Sequence, residues 1–154
     1  MINYDQAKKI LKKAKIKIQD EEILIKNSLN RVVSKDIFSP SNHPLGNNAA
    51  FDGFAINSKD TKNINKENIK HFKIIGSIAA GTKPFNKKIK KFEAIEIMTG
   101  GIISNPFNTI VPIERIIFYP NKEKPQSIII NQKFNKYDHV RFKGSDYKKG
   151  QLVI

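Results

Sequence analysis

One stretch of the chain, residues 47–55, contains a carboxylate with little bulk around it. Asp52 follows two alanines and a phenylalanine, and Gly53 comes directly after it, before an apolar run. Small neighbours and a glycine favour a turn, so we expect Asp52 to lie on a turn with room for a ligand beside it. A carboxylate in that position can bind a hard cation or orient a water molecule. The simpler interpretation is a turn-forming aspartate with no further role.

A second stretch repeats this design with a hydroxyl group. Thr99 follows a strand-like run and precedes Gly100 and Gly101, so a strand is expected to end in a turn made of two glycines. Glycine lets the backbone closely approach a bound group, and a threonine hydroxyl can donate a hydrogen bond to an anionic oxygen. The alternative is that Thr99 only caps the end of the strand. Either motif alone is a weak indication of a site.

Short strands separated by turn residues fill the chain from Phe54 onward. The predicted strands are residues 54–56, 72–75, 94–98, 109–114, 116–119, 127–130 and 140–142. Many short β-branched and aromatic runs at this spacing favour a closed or partly closed all-β module. The polar residues 57–70 and the lysine-rich residues 83–91 are the predicted loops.

The N-terminal residues predict a helix. Asn3 is a suitable N-cap with Gln6 three residues later, a variant of the capping box. Apolar side chains recur at helical spacing over residues 4–14, so we expect a buried apolar stripe under a solvated lysine face. The same lysines leave open a helix that touches membrane or nucleic acid. A short strand is predicted at residues 21–25, and Asn30 is expected to end the next turn in a left-handed conformation.

The composition limits the class of protein and of site. The chain has 154 residues, 39% of them apolar, which is enough for one ordinary domain or two small ones. It contains no apolar run long enough for a membrane span and no signal-like N-terminal segment, so the cytoplasm is the expected compartment. It has no cysteine, and its three histidines are scattered. Any metal site would therefore use a hard cation and oxygen ligands.

The net charge of +14 has two interpretations. It suggests a surface for nucleic acid or polyphosphate. It is also what an AT-rich genome produces, through a residue supply dominated by lysine, isoleucine and asparagine. The lysines are spread along the chain, and no aromatic and arginine pattern of an RNA-binding motif is present, so the second interpretation is favoured.

Five blocks of sequence, taken together, carry a family resemblance. They are residues 28–37; Asn-Ala-Ala-Phe-Asp-Gly-Phe-Ala at 48–55; Gly-x-x-x-Ala-Gly at 76–81; Ile-Met-Thr-Gly-Gly at 97–101, closed by Glu114; and the stretch from Arg141 to Asp146. The second block is similar to the signature Asn-Ser-Ala-Met-Asp-Gly-Tyr-Ala, and the fourth to Ile-Met-Thr-Gly-Ala. In this order they resemble the N-terminal region of the MoeA-type molybdopterin molybdenumtransferases, the family that includes the E domain of gephyrin.

The resemblance implies an α+β fold that is mainly β, with a helix and an extended linker piece into which a small β-barrel-like domain is inserted. The implied linker domain is residues 1–46 with 139–154, and the implied β-barrel-like domain is residues 47–138. The chain ends in an apolar segment, residues 151–154, which we expect to be covered by further chain or by a partner.

The same resemblance implies a function. Family members insert molybdate into adenylylated molybdopterin with the help of Mg²⁺, release AMP and work as homodimers. The matched region lacks the family's transferase domain, so we expect this chain to be inactive unless it associates with such a domain. Neither a membrane nor a nucleic acid is an expected partner.

The resemblance also assigns roles to individual residues of a shared cleft. Asp52, Thr99 and Asp146 are the implied catalytic residues; Asp52 and Asp146 the implied Mg²⁺ ligands; and Arg141, Gly53, Gly100 and Gly101 the implied anion-binding residues. Taken singly, Arg141 and Asp146 could equally form a surface ion pair or lie in a loop.

Some positions depart from the family pattern. Asn108 stands where the family has an aspartate, Asn47 at a position that is often acidic, and Ala49 at a hydroxyl position. These losses favour a rival hypothesis, a non-catalytic dimerisation or scaffold module with the same fold. A basic nucleic-acid-binding module, suggested by the net charge, ranks last.

Overall fold

A computed structural model describes residues 2–14 and 18–154 of the chain. It contains two compact units, Met1–Asp36 together with Ile154, and Ile37–Val153. The mainly β, α+β fold class predicted above is confirmed. The domain division predicted from the resemblance, residues 1–46 with 139–154 and residues 47–138, stays a prediction.

The first unit contains the predicted helix, α1, at Tyr4–Lys13. Its capping box is complete, because the Asn3 side chain accepts from the Gln6 amide and the Gln6 side chain accepts from the Asn3 amide. The predicted burial of its apolar stripe is wrong, since Leu11 is 74% exposed and no described residue of α1 is buried. Helical spacing fixes which side chains share a face, but it does not supply an element that covers them.

The strand predicted at residues 21–25 is also wrong. No strand forms there; a 3-10 helix, Ile25–Asn27, follows an irregular segment. A strand needs a partner with which to form hydrogen bonds, and the described part of this unit offers none. Asn30 has the predicted left-handed backbone, with φ of 63°, and Arg31 forms an ion pair with Glu21.

The second unit is built on eight strands. They are β1 (Asn48–Ala49), β2 (Gly53–Ile56), β3 (Lys70–Ile78), β4 (Glu93–Ile97), β5 (Thr109–Pro112), β6 (Ile117–Tyr119), β7 (Ser127–Ile130) and β8 (Val140–Arg141). Six of them form a curled sheet in the order β5-β2-β4-β3-β7-β6, in which only β3 and β4 are parallel. β1 and β8 form a separate antiparallel pair.

The core lies on both faces of the sheet. Side chains alternate along β2, so Ala55 joins one buried cluster with Ile97 and Val140, while Phe54 and Ile56 join another. The first cluster also contains Ala49 of β1, and it therefore supports the segments that carry the candidate site. Among the described residues, no helix is long and apolar enough to cross a membrane.

Candidate functional site

Asp52 and Thr99 contact each other directly. Both the backbone amide and the side-chain hydroxyl of Thr99 donate to Oδ1 of Asp52, each at 2.7 Å. The register of the sheet brings them together, because Gly53 pairs with Ile97 and each functional residue lies just beyond that pair. The structure thus places the two sequence motifs in one site, although the hydrogen bonds between them were not predicted.

These hydrogen bonds stabilise the charged form of Asp52. The backbone amide of Thr99, followed by its hydroxyl, holds the pKa of the Asp52 carboxyl below its ordinary value. Asp52 is therefore ionised at neutral pH. Oδ2 accepts no hydrogen bond from any described residue, so this oxygen can accept a hydrogen bond from a ligand or a water molecule, or coordinate a cation.

Thr99→Val tests this arrangement. Removing the hydroxyl should raise the pKa of Asp52, but only part of the way to its ordinary value of about 3.9, because the amide of residue 99 still donates. Because folding lowers this pKa, Asp52 stabilises the fold above about pH 4, and that contribution is lost as the pH falls through the folded-state pKa. The measurement is an NMR titration of the Asp52 carboxyl carbon. Thr82→Val, whose hydroxyl bonds Ala79 instead, is the control and should leave the Asp52 pKa unchanged.

The glycines beside this pair have structural roles. A Cβ on Gly53 would lie 2.0 Å from the Val111 carbonyl oxygen, and one on Gly101 would lie 2.7 Å from Cγ1 of Ile97. Gly100 has a φ of 83°, which favours glycine. The amides of Gly100 and Gly101 donate to Ala49 and Met98 respectively, so they are occupied within the turn. The predicted anion-binding role of these three glycines stays a prediction.

Arg141 and Asp146 form a second pair. Nη2 of Arg141 donates to Oδ2 of Asp146 at 2.5 Å, and the Ser145 hydroxyl donates to Oδ1 at 3.2 Å. The hydrogen bond from Arg141 is the main cause that lowers the pKa of Asp146. The Asp146 amide donates to the carbonyl of His43, which fixes the loop. Both side chains are exposed, Arg141 to 52% and Asp146 to 40%.

The two pairs belong to one patch of backbone. Asn48 pairs with Arg141 across β1 and β8, Ala50 donates to the carbonyl of His139, and Ala49 donates to the carbonyl of Gly101. In the part of the chain that the structure describes, no hydrogen bond or ion pair joins Asp52 or Thr99 to Arg141 or Asp146. The candidate site therefore consists of two separate side-chain pairs whose backbone segments are joined by hydrogen bonds.

Two features of this patch were missed by sequence reasoning. The ring of Phe51 packs edge-on against His139, with centroids 5.1 Å apart. Oδ1 of Asn48 is buried and has no hydrogen-bond donor among the described residues. A buried acceptor without a donor is uncommon in folded proteins. The only feature of the sequence that pointed to Asn48 was its place in the signature of residues 48–55.

The side chains present fit a metal only in part. The described residues contain no group of three histidine, aspartate or glutamate side chains that could hold an ion. Asp52 can supply one oxygen, whereas both oxygens of Asp146 accept hydrogen bonds from the chain. Magnesium is often held by one or two carboxylates with water and substrate phosphates, so Asp52 fits such a site and the geometry favours Asp146 as the partner of Arg141.

Comparison with known proteins identifies the family of this site. The family model described as the MoeA N-terminal region (domain I and II) matches residues 2–154. The chain belongs to the MoeA N-terminal family. The motifs that form the Asp52–Thr99 pair and the Arg141–Asp146 pair all lie within this match.

Relatives of this MoeA region are longer proteins. The molybdopterin molybdenumtransferase of Staphylococcus epidermidis is 29% identical over 153 residues, which cover 99% of the chain and 35% of that protein. The Staphylococcus aureus protein of the same name is 31% identical over 132 residues, which cover 86% of the chain and 30% of that protein. The chain therefore spans about a third of the length of these relatives.

Solved structures have the same fold. The molybdopterin biosynthesis MoeA protein from Pyrococcus horikoshii OT3 matches with a TM-score of 0.76 and 25% identity, over 87% of this chain and 34% of that one. A second Pyrococcus MoeA structure matches with a TM-score of 0.75 and 28% identity, over 98% of this chain and 37% of that one. The similarity to MoeA proteins therefore extends from the sequence to the backbone fold.

Proposed function

We propose that this MoeA region acts in molybdenum cofactor biosynthesis as the N-terminal part of a molybdopterin molybdenumtransferase. The observation that carries the proposal is the Asp52–Thr99 pair, in which the two family motifs meet at an ionised carboxylate with an uncommitted oxygen. The reaction is the insertion of molybdate into adenylylated molybdopterin with release of AMP. The cytoplasm stays the expected compartment.

Each site residue has a role suited to its chemistry. Asp52 orients water or binds a cation at the adenylate, and Thr99 holds that carboxylate in place and stabilises its charge. Arg141 attracts molybdate or phosphate through its guanidinium, and Asp146 positions Arg141. Magnesium, when bound, neutralises the phosphate charge that Asp52 alone would repel.

The proposed partner is a transferase domain, in a homodimer or as a separate chain. The first unit leaves many large apolar side chains exposed, which is characteristic of a surface that associates. They include Tyr4, Ile10, Leu11, Leu24, Ile25, Leu29 and Val32. Without that domain, we expect this MoeA region to bind no cofactor precursor productively and to have no transferase activity.

A hybrid enzyme tests the proposal. Residues 2–154 replace the matched region of the Staphylococcus epidermidis molybdenumtransferase, and molybdenum cofactor is measured in cells that lack their own enzyme. We expect the hybrid to restore cofactor formation. The transferase part alone should not restore it, because it lacks this wall of the site. A hybrid that is produced and folded but forms no cofactor would contradict the proposed function.

The second candidate is a scaffold with the same fold and no chemistry. The observation that favours it is the closed Arg141–Asp146 pair, in which each charge is already neutralised within the chain. A scaffold would restore cofactor formation in the hybrid whether or not Asp52 is present. Substitution of Asp52 therefore separates the two functions.

A further inference from the structure

A groove of about 780 Å³ lies within the second unit. It is lined by residues of four segments, residue 47, residues 57–59, residues 103–108 and residues 136–137. None of its lining residues is Asp52, Thr99, Arg141 or Asp146. Its polar lining consists of amides, hydroxyls and ammonium groups, and it contains no carboxylate.

Two of the asparagine side chains that line this groove, Asn47 and Asn108, are oriented by hydrogen bonds from the chain. Oδ1 of Asn108 accepts from the Ser58 amide at 2.9 Å, and Oδ1 of Asn47 accepts from the Lys143 amide at 2.9 Å. Because the oxygen of each side chain is held by an N–H group, the NH₂ group is the remaining end. No described residue accepts a hydrogen bond from either NH₂ group. Both asparagines therefore have donors available to a ligand.

The charges of the groove have one sign. Lys59 and Lys136 line it, and the Lys136 ammonium lies 4.6 Å from the centroid of the Tyr137 ring. The acids nearest to these lysines in sequence are engaged elsewhere, since Asp60 accepts from the Phe92 amide and Asp138 from the Asn135 amide. The lysines therefore have no carboxylate partner in the groove.

The backbone at the rim is held in an uncommon conformation. Tyr137 has a φ of 72°, which is rare for a bulky residue, and its amide donates to the carbonyl of Asn108 at 2.8 Å. Such a conformation persists only where the surrounding structure holds it. The hydrogen bond joins the backbone of the segment that carries Lys136 to the segment that carries Asn108, so these two lining segments are held together.

We propose that this groove binds a phosphate group, with the Asn47 and Asn108 amides and the Lys59 and Lys136 ammonium groups as its donors. A lining that offers donors and positive charge suits an oxyanion, which only accepts hydrogen bonds. The ligand is either free inorganic phosphate or a small phosphate ester. The inference does not rest on the proposed function, because it uses neither pair of the candidate site.

The test is an amide NMR titration of the whole chain with inorganic phosphate and, separately, with ribose 5-phosphate. Ionic strength is kept constant with chloride, because a chain of net charge +14 attracts any anion. We expect saturable shifts at the Ser58 and Asn108 amides. The probe that binds more tightly identifies the free anion or the ester as the ligand. The absence of saturable shifts with both probes would overturn the proposal.

Matched variants separate a built site from diffuse charge. Lys59→Gln with Lys136→Gln should weaken binding about tenfold or more, whereas Lys122→Gln with Lys124→Gln, which removes the same charge from a different loop, should change it less than about twofold. Asn108→Asp keeps the oxygen that accepts from Ser58 and places a carboxylate in the groove, so it should abolish binding. Equal weakening in the two lysine pairs, or unchanged binding in Asn108→Asp, would also overturn the proposal.

Discussion

Gly53→Ala should lower the free energy of unfolding by about 3 kcal/mol or more. Gly53 pairs with Ile97 on one side and Pro112 on the other, so it lies between two strands of the sheet. A Cβ at this position would lie 2.0 Å from the carbonyl oxygen of Val111, and a backbone atom cannot rotate away as a side chain can. Urea unfolding followed by circular dichroism measures the loss.

Gly76→Ala is the matched control. The nearest atom to its added Cβ would be a ring carbon of Phe85 at 3.2 Å, which can move with the side chain. We expect a change within about 1 kcal/mol, the usual range for a mild small-to-large substitution. Equal losses of unfolding free energy in the two variants would mean that β5 leaves room for a Cβ at Gly53, which would contradict the 2.0 Å approach to the Val111 carbonyl oxygen.

Phe72→Ala should lower the free energy of unfolding by about 3–5 kcal/mol, the cost of deleting a buried aromatic ring. Phe72 has no exposed surface and lies on β3, opposite Ile128 of β7. Its ring packs edge-on against Phe92, with centroids 5.4 Å apart. Such a loss is a large part of the roughly 5–15 kcal/mol that stabilises a typical domain, and thermal or urea unfolding would reveal it.

Phe51→Ala provides the comparison for the same deletion at the surface. Phe51 is 50% exposed and contacts His139 with only part of its ring. We expect a loss of about 1 kcal/mol, because less apolar area returns to water and no closed cavity forms. A loss as large as that of Phe72→Ala would contradict the description of the core.

The sheet of the second unit was largely predictable from the sequence. Runs such as Ser127–Ile130 and Thr109–Pro112 are rich in β-branched residues and are bounded by turn residues. Their local preference for strand therefore matches the buried strands that they form. The predicted extension of β5 to Glu114 was wrong, since Pro112 lacks an amide and Ile113–Arg115 forms a 3-10 helix. Local pattern indicates that a strand exists better than it fixes its end.

Features that depend on distant partners were not predictable. The segment at residues 21–25 has strand-like residues, but a partner strand is a property of the tertiary structure. The exposure of the apolar stripe of α1 was unpredictable for the same reason, because helical spacing does not show whether another element covers the stripe. Asn47 and Asn108 are separate departures from the family pattern in the sequence, and only the structure places them in the same groove.

The candidate site was predictable as a set of positions but not as a geometry. The family motifs indicated Asp52 and Thr99, and the structure adds that two donors of Thr99 hold one oxygen of Asp52. Arg141 and Asp146 were indicated in the same way, and the structure adds that they form an ion pair. Hydrogen-bond partners depend on the register of paired strands, which short motifs do not specify.

The most direct test of the catalytic claim is the rate at which the hybrid enzyme, with and without Asp52→Asn, releases AMP in the presence of molybdate. Asparagine keeps an oxygen that accepts from Thr99 but removes the charge. We therefore predict that the rate falls by at least about 100-fold, the scale expected for loss of a catalytic carboxylate. Asp36→Asn, an exposed aspartate of the first unit, is the control and should leave the rate unchanged. Equal rates for the wild-type and Asp52→Asn hybrids would contradict the account and favour the scaffold.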